Sequence, residues 1–435
     1  MAMFDVKVMQ SVETKFWTNE RLLAVCVSSL LMNANCAVAG LLGDHITPYV
    51  SAESTYLSNI FLLDKNEQVQ IANKSQKWDI LVRTDVGLVA DIPIGRQTIL
   101  ADINVNFNQY QEYTFLDYVG ANSKVAWNWV LGEHFNGRLG YNYGRFLTSF
   151  NNFNSPVQDI TDNHNPFVEV AYRFHPSWEV AGGFNYTDVS HSNATRNSAN
   201  FEDYTYTGEL RYRNAARNFV GIQFEYSDVK FAGRSANQTI NVNTALIPAY
   251  KRYLGSATVD WQLTGKSQVK GRIGYQIVDT TPVRVNNTEF TRNFNQFSWR
   301  FEYNWRPSAK TSLALATWRE VRPATDPVST FVKDTGVGLT PSWTPTEKIS
   351  LRGEFSYNNQ DYSGSVGNAA VANVNSQANL NQRTDDVYTI GIDFEYKPIT
   401  NLLLELAYDY QNRSSNRLGL PYFYHTVIGG VRVEF

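Results

Sequence analysis

The chain has 435 residues, of which 18% are charged, with a net charge of -3 and a mean hydropathy of -0.35. That average excludes a helical membrane protein of this size, since each spanning helix needs about 20 consecutive apolar residues. The near-even charge balance offers no basic surface for nucleic acid, while Tyr and Phe, at 25 each, lift the aromatic share to 14%.

The first element is the apolar run Leu22 to Met32, too short to span a bilayer. Arg21 precedes it and Ala37-Val38-Ala39 follows, the layout of a cleaved secretory signal. Residues 1–39 are therefore read as signal peptide and 40–435 as one mature domain. The leading segment is long and mixes Asp5, Glu13 and Glu20 with Lys7, Lys15 and Arg21, which keeps Met9 open as an alternative start. Both cysteines, Cys26 and Cys36, fall inside the signal, so the mature domain is expected to hold no disulfide and no thiolate site.

From Ile46 onward one unit repeats: an alternating stretch of about 10 residues, a short turn, a second stretch and a longer polar loop. Successive side chains of a strand face opposite sides, so alternation predicts strands with one apolar and one polar face. Trp78, Ile80, Val82, Val86 and Leu88 oppose Asp79, Arg83 and Asp85. Ile99, Ala101, Ile103, Val105 and Phe107 oppose Asp102, Asn104, Asn106 and Asn108. Further along, Phe297, Trp299, Phe301, Tyr303 and Trp305 oppose Ser298, Arg300, Glu302 and Asn304. The last stretch sets Val427, Gly429, Val431, Val433 and the terminal Phe435 against Thr426, Gly430, Arg432 and Glu434. An amphipathic final strand ending in an aromatic is how outer-membrane barrels usually finish, so Val431, Val433 and Phe435 are read as the assembly signal.

The connections alternate too. Short turns carry Pro93-Ile94-Gly95, Gly132-Glu133-His134, Pro176-Ser177, Asn214-Ala215-Ala216, Thr264-Gly265-Lys266, Pro307-Ser308-Ala309, Pro345-Thr346 and Pro398-Ile399-Thr400. Between them lie polar stretches near 58–75, 148–164, 188–201, 229–249, 279–293 and 359–384. Short turns at one end and long loops at the other predict an all-β transmembrane antiparallel up-and-down barrel of about 18 strands, with 311–343 the hardest hairpin to count. Trp127, Trp129, Trp178, Trp261, Trp305 and Trp343 fall near the short turns, and Tyr186, Tyr226, Tyr275, Tyr357, Tyr408 and Tyr410 near the loop ends. Two aromatic belts on a lipid face account for both sets and place the chain in the outer membrane of a Gram-negative bacterium.

The inward parity gathers charge, which is costly in lipid and acceptable in a wet interior. Bases and acids are near balance, except for a cluster of Arg211, Arg213, Arg252, Lys270 and Arg272, with Arg300 and Glu302 beside it. These seven are the candidate solute-contacting residues. Charged patches set pore selectivity, and the bland alternative is pairing with Glu209, Glu225 and Asp260 to brace the wall. Tyr110, Phe146 and Tyr424 offer aromatic faces for sugars or simply fill space. The loops at 148–164 and 359–384 are read as mobile outer loops, with an inward fold as the alternative. An enzyme is not expected: of six histidines, only Asp162-Asn163-His164 puts an acid near a base, His425 reads as a girdle residue, and no metal-ligand or phosphate-loop spacing occurs. No cofactor is called for.

Several segments resemble the exosortase-associated exopolysaccharide outer-membrane proteins of the EpsL type. They are Leu116-Asp117-Tyr118, Ala126-Trp127-Asn128-Trp129, Ser149 to Gln158, Phe174-His175-Pro176-Ser177-Trp178, Trp261 to Ser267, Tyr303-Asn304-Trp305-Arg306-Pro307 and Arg319-Glu320. Tyr56-Leu57-Ser58-Asn59-Ile60-Phe61 looks like that family's start, with Ser58-Asn59 in place of Asp-Asn. The resemblance runs in order over most of the mature chain and brings no catalytic residues. It implies export of an extracellular polysaccharide across the outer membrane. Expected partners are the polysaccharide, outer-membrane lipid, separate periplasmic and inner-membrane export components, and the barrel-assembly machinery. A general or solute-specific porin and a closed barrel serving as surface anchor or adhesin stand as the other readings.

Overall fold

The computed structural model describes residues 45–67, 70–152, 156–216, 218–238, 246–285, 288–324, 329–364 and 383–435. The signal peptide assigned to 1–39 and most of the loop at 359–384 lie outside them. Eighteen strands of 12 to 16 residues form the wall. They are β1 (Ile46–Leu57), β2 (Asp79–Ile94), β3 (Gln97–Tyr110), β4 (Tyr118–Leu131), β5 (Phe135–Leu147), β6 (Ile160–His175), β7 (Trp178–His191), β8 (Phe201–Arg213) and β9 (Phe219–Lys230). After β10 (Asn237–Gln238), a loop strand, come β11 (Ala249–Thr264) and β12 (Ser267–Thr280). The loop strands β13 (Val283–Val285) and β14 (Thr288–Phe290) follow and pair with β10 in a small separate sheet. The wall resumes with β15 (Phe294–Ser308), β16 (Thr311–Pro323), β17 (Phe331–Thr346), β18 (Ile349–Ser363), β19 (Thr384–Ile399), β20 (Leu402–Ser415) and β21 (Tyr422–Glu434).

Each wall strand pairs antiparallel with the next, and β1 closes the ring against β21 with Tyr49 opposite Glu434 and Leu57 opposite Thr426. Closure leaves no unpaired edge, the condition for spanning lipid with strands. The Phe435 N–H continues the seam by donating to the Pro48 carbonyl at 2.9 Å. The count of about 18 and the closed antiparallel barrel match the sequence reading, and 311–343 forms an ordinary hairpin.

The outward parity is the apolar one. Val86, Phe107, Leu139, Ile222, Phe224, Phe297 and Leu406 expose between 48% and 73% of their surface, as a lipid face requires. Trp127, Trp178, Trp305 and Trp343 stand outward near the short-turn rim. The loop-side belt includes a cluster that occurs twice: Tyr141 and Tyr143 meet His164 across β5 and β6, and Tyr408 and Tyr410 meet His425 across β20 and β21.

Short turns share a further device. The register shifts by a bulge at Trp305/Ser308, Trp343/Thr346 and Tyr396/Ile399, in each case spanning a proline. Lys266, Lys310 and Lys348 then donate through Nζ to the carbonyls of Pro307, Pro345 and Pro398, each in the neighbouring turn. The turns are thereby linked into a chain along that rim. Gly95 and Gly132 hold φ of 63° and 59°, where a side chain would be strained.

Candidate functional site

The lumen wall is built from inward-facing pairs. On β7, the buried Glu179 carboxylate accepts Arg211 Nη1 at 3.2 Å and Arg213 Nη2 at 3.0 Å, both from β8. Arg211 also binds Glu209 at 2.6 Å, and both guanidiniums lie over the Phe219 ring. A second network crosses five strands. Glu225 on β9 accepts Arg252 of β11 and Arg272 of β12 at 2.8 Å each. Arg272 and Arg300 of β15 then converge on Glu320 of β16 at 2.9 and 2.5 Å. Arg272 and Arg300 are direct cross-strand neighbours, a repulsive pairing that Glu320 offsets. Lys270 lies 3.8 Å from Asp260, and Glu302 accepts from Asn304.

All seven candidate residues, Arg211, Arg213, Arg252, Lys270, Arg272, Arg300 and Glu302, thus face the lumen on neighbouring strands. Each of the six bases has a carboxylate partner. Trp318 was not singled out by sequence. It sits on the inward face of β16, donates to Asp334 at 3.2 Å and lies beside Arg300. Its place on the same parity as Glu320 and Arg322 was the available signal.

The loop-side mouth is packed. Leu57, Ile60, Phe61, Leu63, Leu81, Tyr110, Tyr113, Leu116 and Phe150 form one buried cluster at the loop-side ends of β1 to β5. Asp79, fully buried, organises it by accepting the N–H groups of Ile80, Glu112 and Tyr113. Burial, with the Asp79 carboxylate alongside, pushes the Tyr113 phenol above its ordinary pKa, and that hydroxyl donates to the Gln76 carbonyl. On the opposite side Val189, Phe201, Val229, Phe231, Tyr250, Val278, Val321 and Phe331 form a second cluster. Here the loop-side ends of β16 and β17 contribute Val321 and Phe331. The β15–β16 ladder stops at Trp299–Arg319, while β16 and β17 stay paired to Pro323–Phe331. Arg252 Nη1 caps the Val321 carbonyl from below at 2.8 Å. Arg234 joins three loops by donating to the carbonyls of Ser198, Ile247 and Ser329.

One connection ties the first cluster to the β18–β20 part of the mouth. The β5–β6 loop turns inward at Phe150–Asn152, where Phe150 meets Phe61 edge-on at 5.0 Å. Beyond it, Asn152 Oδ1 accepts Arg383 Nη2 at 2.9 Å and Tyr362 Oη at 3.4 Å, and the Asn151 carbonyl accepts Arg413 Nη1. Five strands (β4, β3, β2, β1 and β21) separate β5 from β20, which carries Arg413, and seven separate it from β18, which carries Tyr362, so this loop links separated stretches of the loop-side rim. Arg383 and Arg413 both bind Asp385, and all three are buried.

Several expectations are corrected here. The 148–164 stretch is not simply an outer loop: β6 begins at Ile160, Phe150 is buried inside the mouth, and the half-buried Asn151 and Asn152 accept hydrogen bonds from Arg413 and Arg383. Asp162 and His164 are therefore strand residues, tied to Tyr143, Arg145 and Tyr141. Tyr110 is 7% exposed within the first cluster and offers no free face, whereas Phe146 is 42% exposed. Connections at 111–117, 324–330 and 416–421 were missed, being short and only weakly polar. Among the described residues no group of three or more His, Cys, Asp or Glu is placed to hold a metal.

A closed wall with an apolar exterior, an aromatic belt and a charged interior is the architecture of the Gram-negative outer membrane. The pattern of the family described as "Putative beta-barrel porin 2" matches residues 292–435, the stretch that holds β15 to β21. This is a porin-like barrel. No curated protein matches it. Among solved structures, the porin-like barrel resembles Pseudomonas aeruginosa OccK2 in complex with glucuronate, with 7% identity and a TM-score of 0.44 over 90% of this chain and 98% of that one. A BenF-like porin from Pseudomonas fluorescens Pf-5 gives 8% identity and a TM-score of 0.45 over 90% and 99%. The outer membrane protein OpdK of Pseudomonas aeruginosa gives 9% and 0.42 over 90% and 99%. These likenesses concern the fold of the porin-like barrel.

Proposed function

We propose that the protein is a porin-type channel for polar solutes and, in its finer role, that it passes an extracellular polysaccharide outward. The observation that carries the channel reading is the closed 18-strand wall whose inner face is lined with paired charges and amides. Barrels of about this strand number enclose an aqueous passage. Paired charges present many weak hydrogen-bonding sites, which let a hydroxyl-rich chain enter and leave. Lumen contacts are assigned to Arg211, Arg213, Arg252, Lys270, Arg272, Arg300 and Glu302. The resemblance to exopolysaccharide outer-membrane proteins supports the finer role. Separate periplasmic and inner-membrane components would deliver the polymer, and Val431, Val433 and Phe435 would present the last strand to the assembly machinery.

The packed mouth favours a second reading, a barrel that conducts little at rest or serves as a closed anchor. Single-channel recording of the purified barrel in planar bilayers, with and without the host's exopolysaccharide, separates the three. Steady openings blocked by polymer are expected for export. Openings indifferent to it point to a general porin, and silence to the closed anchor.

A further inference from the structure

The six candidate bases of the lumen wall each have a carboxylate partner, whereas the bases of the short-turn rim do not. Lys266, Arg306, Lys310, Lys348 and Lys397 lie on four successive short turns at 264–267, 306–310, 344–348 and 397–401, and all five are exposed. None of them forms an ion pair among the described residues. Glu347 is the one carboxylate within those turns. Lys266, Lys310 and Lys348 are held instead by proline carbonyls of the next turn, at 2.7, 2.5 and 2.7 Å. Each returns its own carbonyl to a backbone N–H of that turn, from Arg306, Thr344 and Lys397. A carbonyl fixes an ammonium in place without cancelling its charge. The rim thus carries a row of positioned cations, with turns two strands apart spaced at roughly 10 Å.

The side chains of Arg306 and Lys397 make no hydrogen bond among the described residues, so they brace no turn. Arg306 continues the inward parity of Arg300, Glu302 and Asn304 on β15, and Lys397 that of Asp393 and Glu395 on β19. The lipid face at this level carries Trp305, Trp343 and Tyr396. The two cations therefore stand at the lip of the bore and not among lipid headgroups. Lys270 is the next base up the inner face of β12, with 51% of its side chain exposed and Asp260 at 3.8 Å, ahead of Arg272. We infer that the short-turn rim is a loading surface for an acidic polysaccharide, which Lys266, Arg306, Lys310, Lys348 and Lys397 gather at the mouth and pass on to Lys270. Short turns face the periplasm in barrels of this kind, the side from which an exported polymer arrives. A patch of one sign at the mouth of a cleft concentrates its counter-ion there. Exposed cations also let go, because each contact is weak in water. The direction of travel and the acidic character of the cargo rest on the export reading; the binding surface stands without it.

The test places the full barrel in phosphatidylcholine nanodiscs and titrates it with polygalacturonate and with neutral dextran of matched length. Polygalacturonate is expected to bind, more weakly as salt is raised, and dextran to bind far less. The decisive variant is Arg306→Gln with Lys397→Gln, since neither side chain holds a turn together. It is expected to keep the heat-dependent gel mobility of the wild type and to weaken polygalacturonate binding roughly tenfold. In planar bilayers, polygalacturonate is expected to interrupt the wild-type current from one side only, and the double variant to lose that block. Equal binding of dextran, or a double variant that binds polygalacturonate like the wild type, overturns the proposal. A double variant that loses phosphatidylglycerol in mixed micelles yet keeps polygalacturonate gives the rim to lipid and overturns it too. Rim-dependent binding to a barrel that carries no current upholds the loading surface and removes the channel reading. A block that survives the double variant upholds the channel and removes the rim.

Discussion

Glu225 shows how the wall uses its charges. One carboxylate neutralises Arg252 and Arg272 from two successive strands, and Arg272 hands the pairing on to Glu320. The inward parity of Glu225, Arg252 and Arg272 was legible in the sequence, because alternation is a local property. Partner choice was not: Arg272 and Glu320 are joined only when β12, β15 and β16 are set in register. Glu225→Gln leaves two inward guanidiniums short of a carboxylate. It is expected to destabilise the barrel by about 1–3 kcal/mol, the range for a buried charged acceptor lost, read by urea unfolding in micelles. A loss below a few tenths would mean that water in the lumen already screens the pair.

Strands and loops differ in what they owe to neighbours. The wall strands announce themselves through period-two patterning, and the proline-bearing turns mark their ends. Loop placement depends on partners that the loop's own residues do not reveal. Asp79 illustrates this: it reads as one more inward acid at a strand start, yet it holds the 111–117 connection in place through two backbone N–H groups. Asp79→Ala strands buried donors and is expected to cost about 3 kcal/mol. The stronger signature is new protease cleavage within 58–78 and 111–117 while the wall stays folded. On the outer face, Phe224 sits mid-strand and 55% exposed. Phe224→Lys is expected to cost about 2–4 kcal/mol in a bilayer, the penalty for a cation near the midplane. A much smaller penalty would place β9 against another protein instead of lipid.

For the whole molecule, fold and mouth stand at opposite ends of legibility. Eighteen strands could be counted from repeats, whereas the β5–β6 loop joins Asn151 and Asn152 to side chains 262 and 231 positions away. No local pattern encodes such a contact. Ion selectivity is likewise a property of the sum. Replacing Arg211, Arg213, Arg252, Lys270 and Arg272 by glutamine removes these cations from Glu209, Glu225 and Asp260 and leaves Glu179 with Arg173 alone at 3.8 Å. The reversal potential in a salt gradient is expected to move toward cation preference, and an unmoved potential would place these residues off the conduction path.

The β5–β6 loop also straddles the seam of the ring. Asn151 follows β5 and Arg413 stands on β20, so their contact links early strands of the wall to late ones across the β1–β21 closure. The ring is thus fastened twice, by the backbone ladder of its end strands and by a side chain inside the mouth.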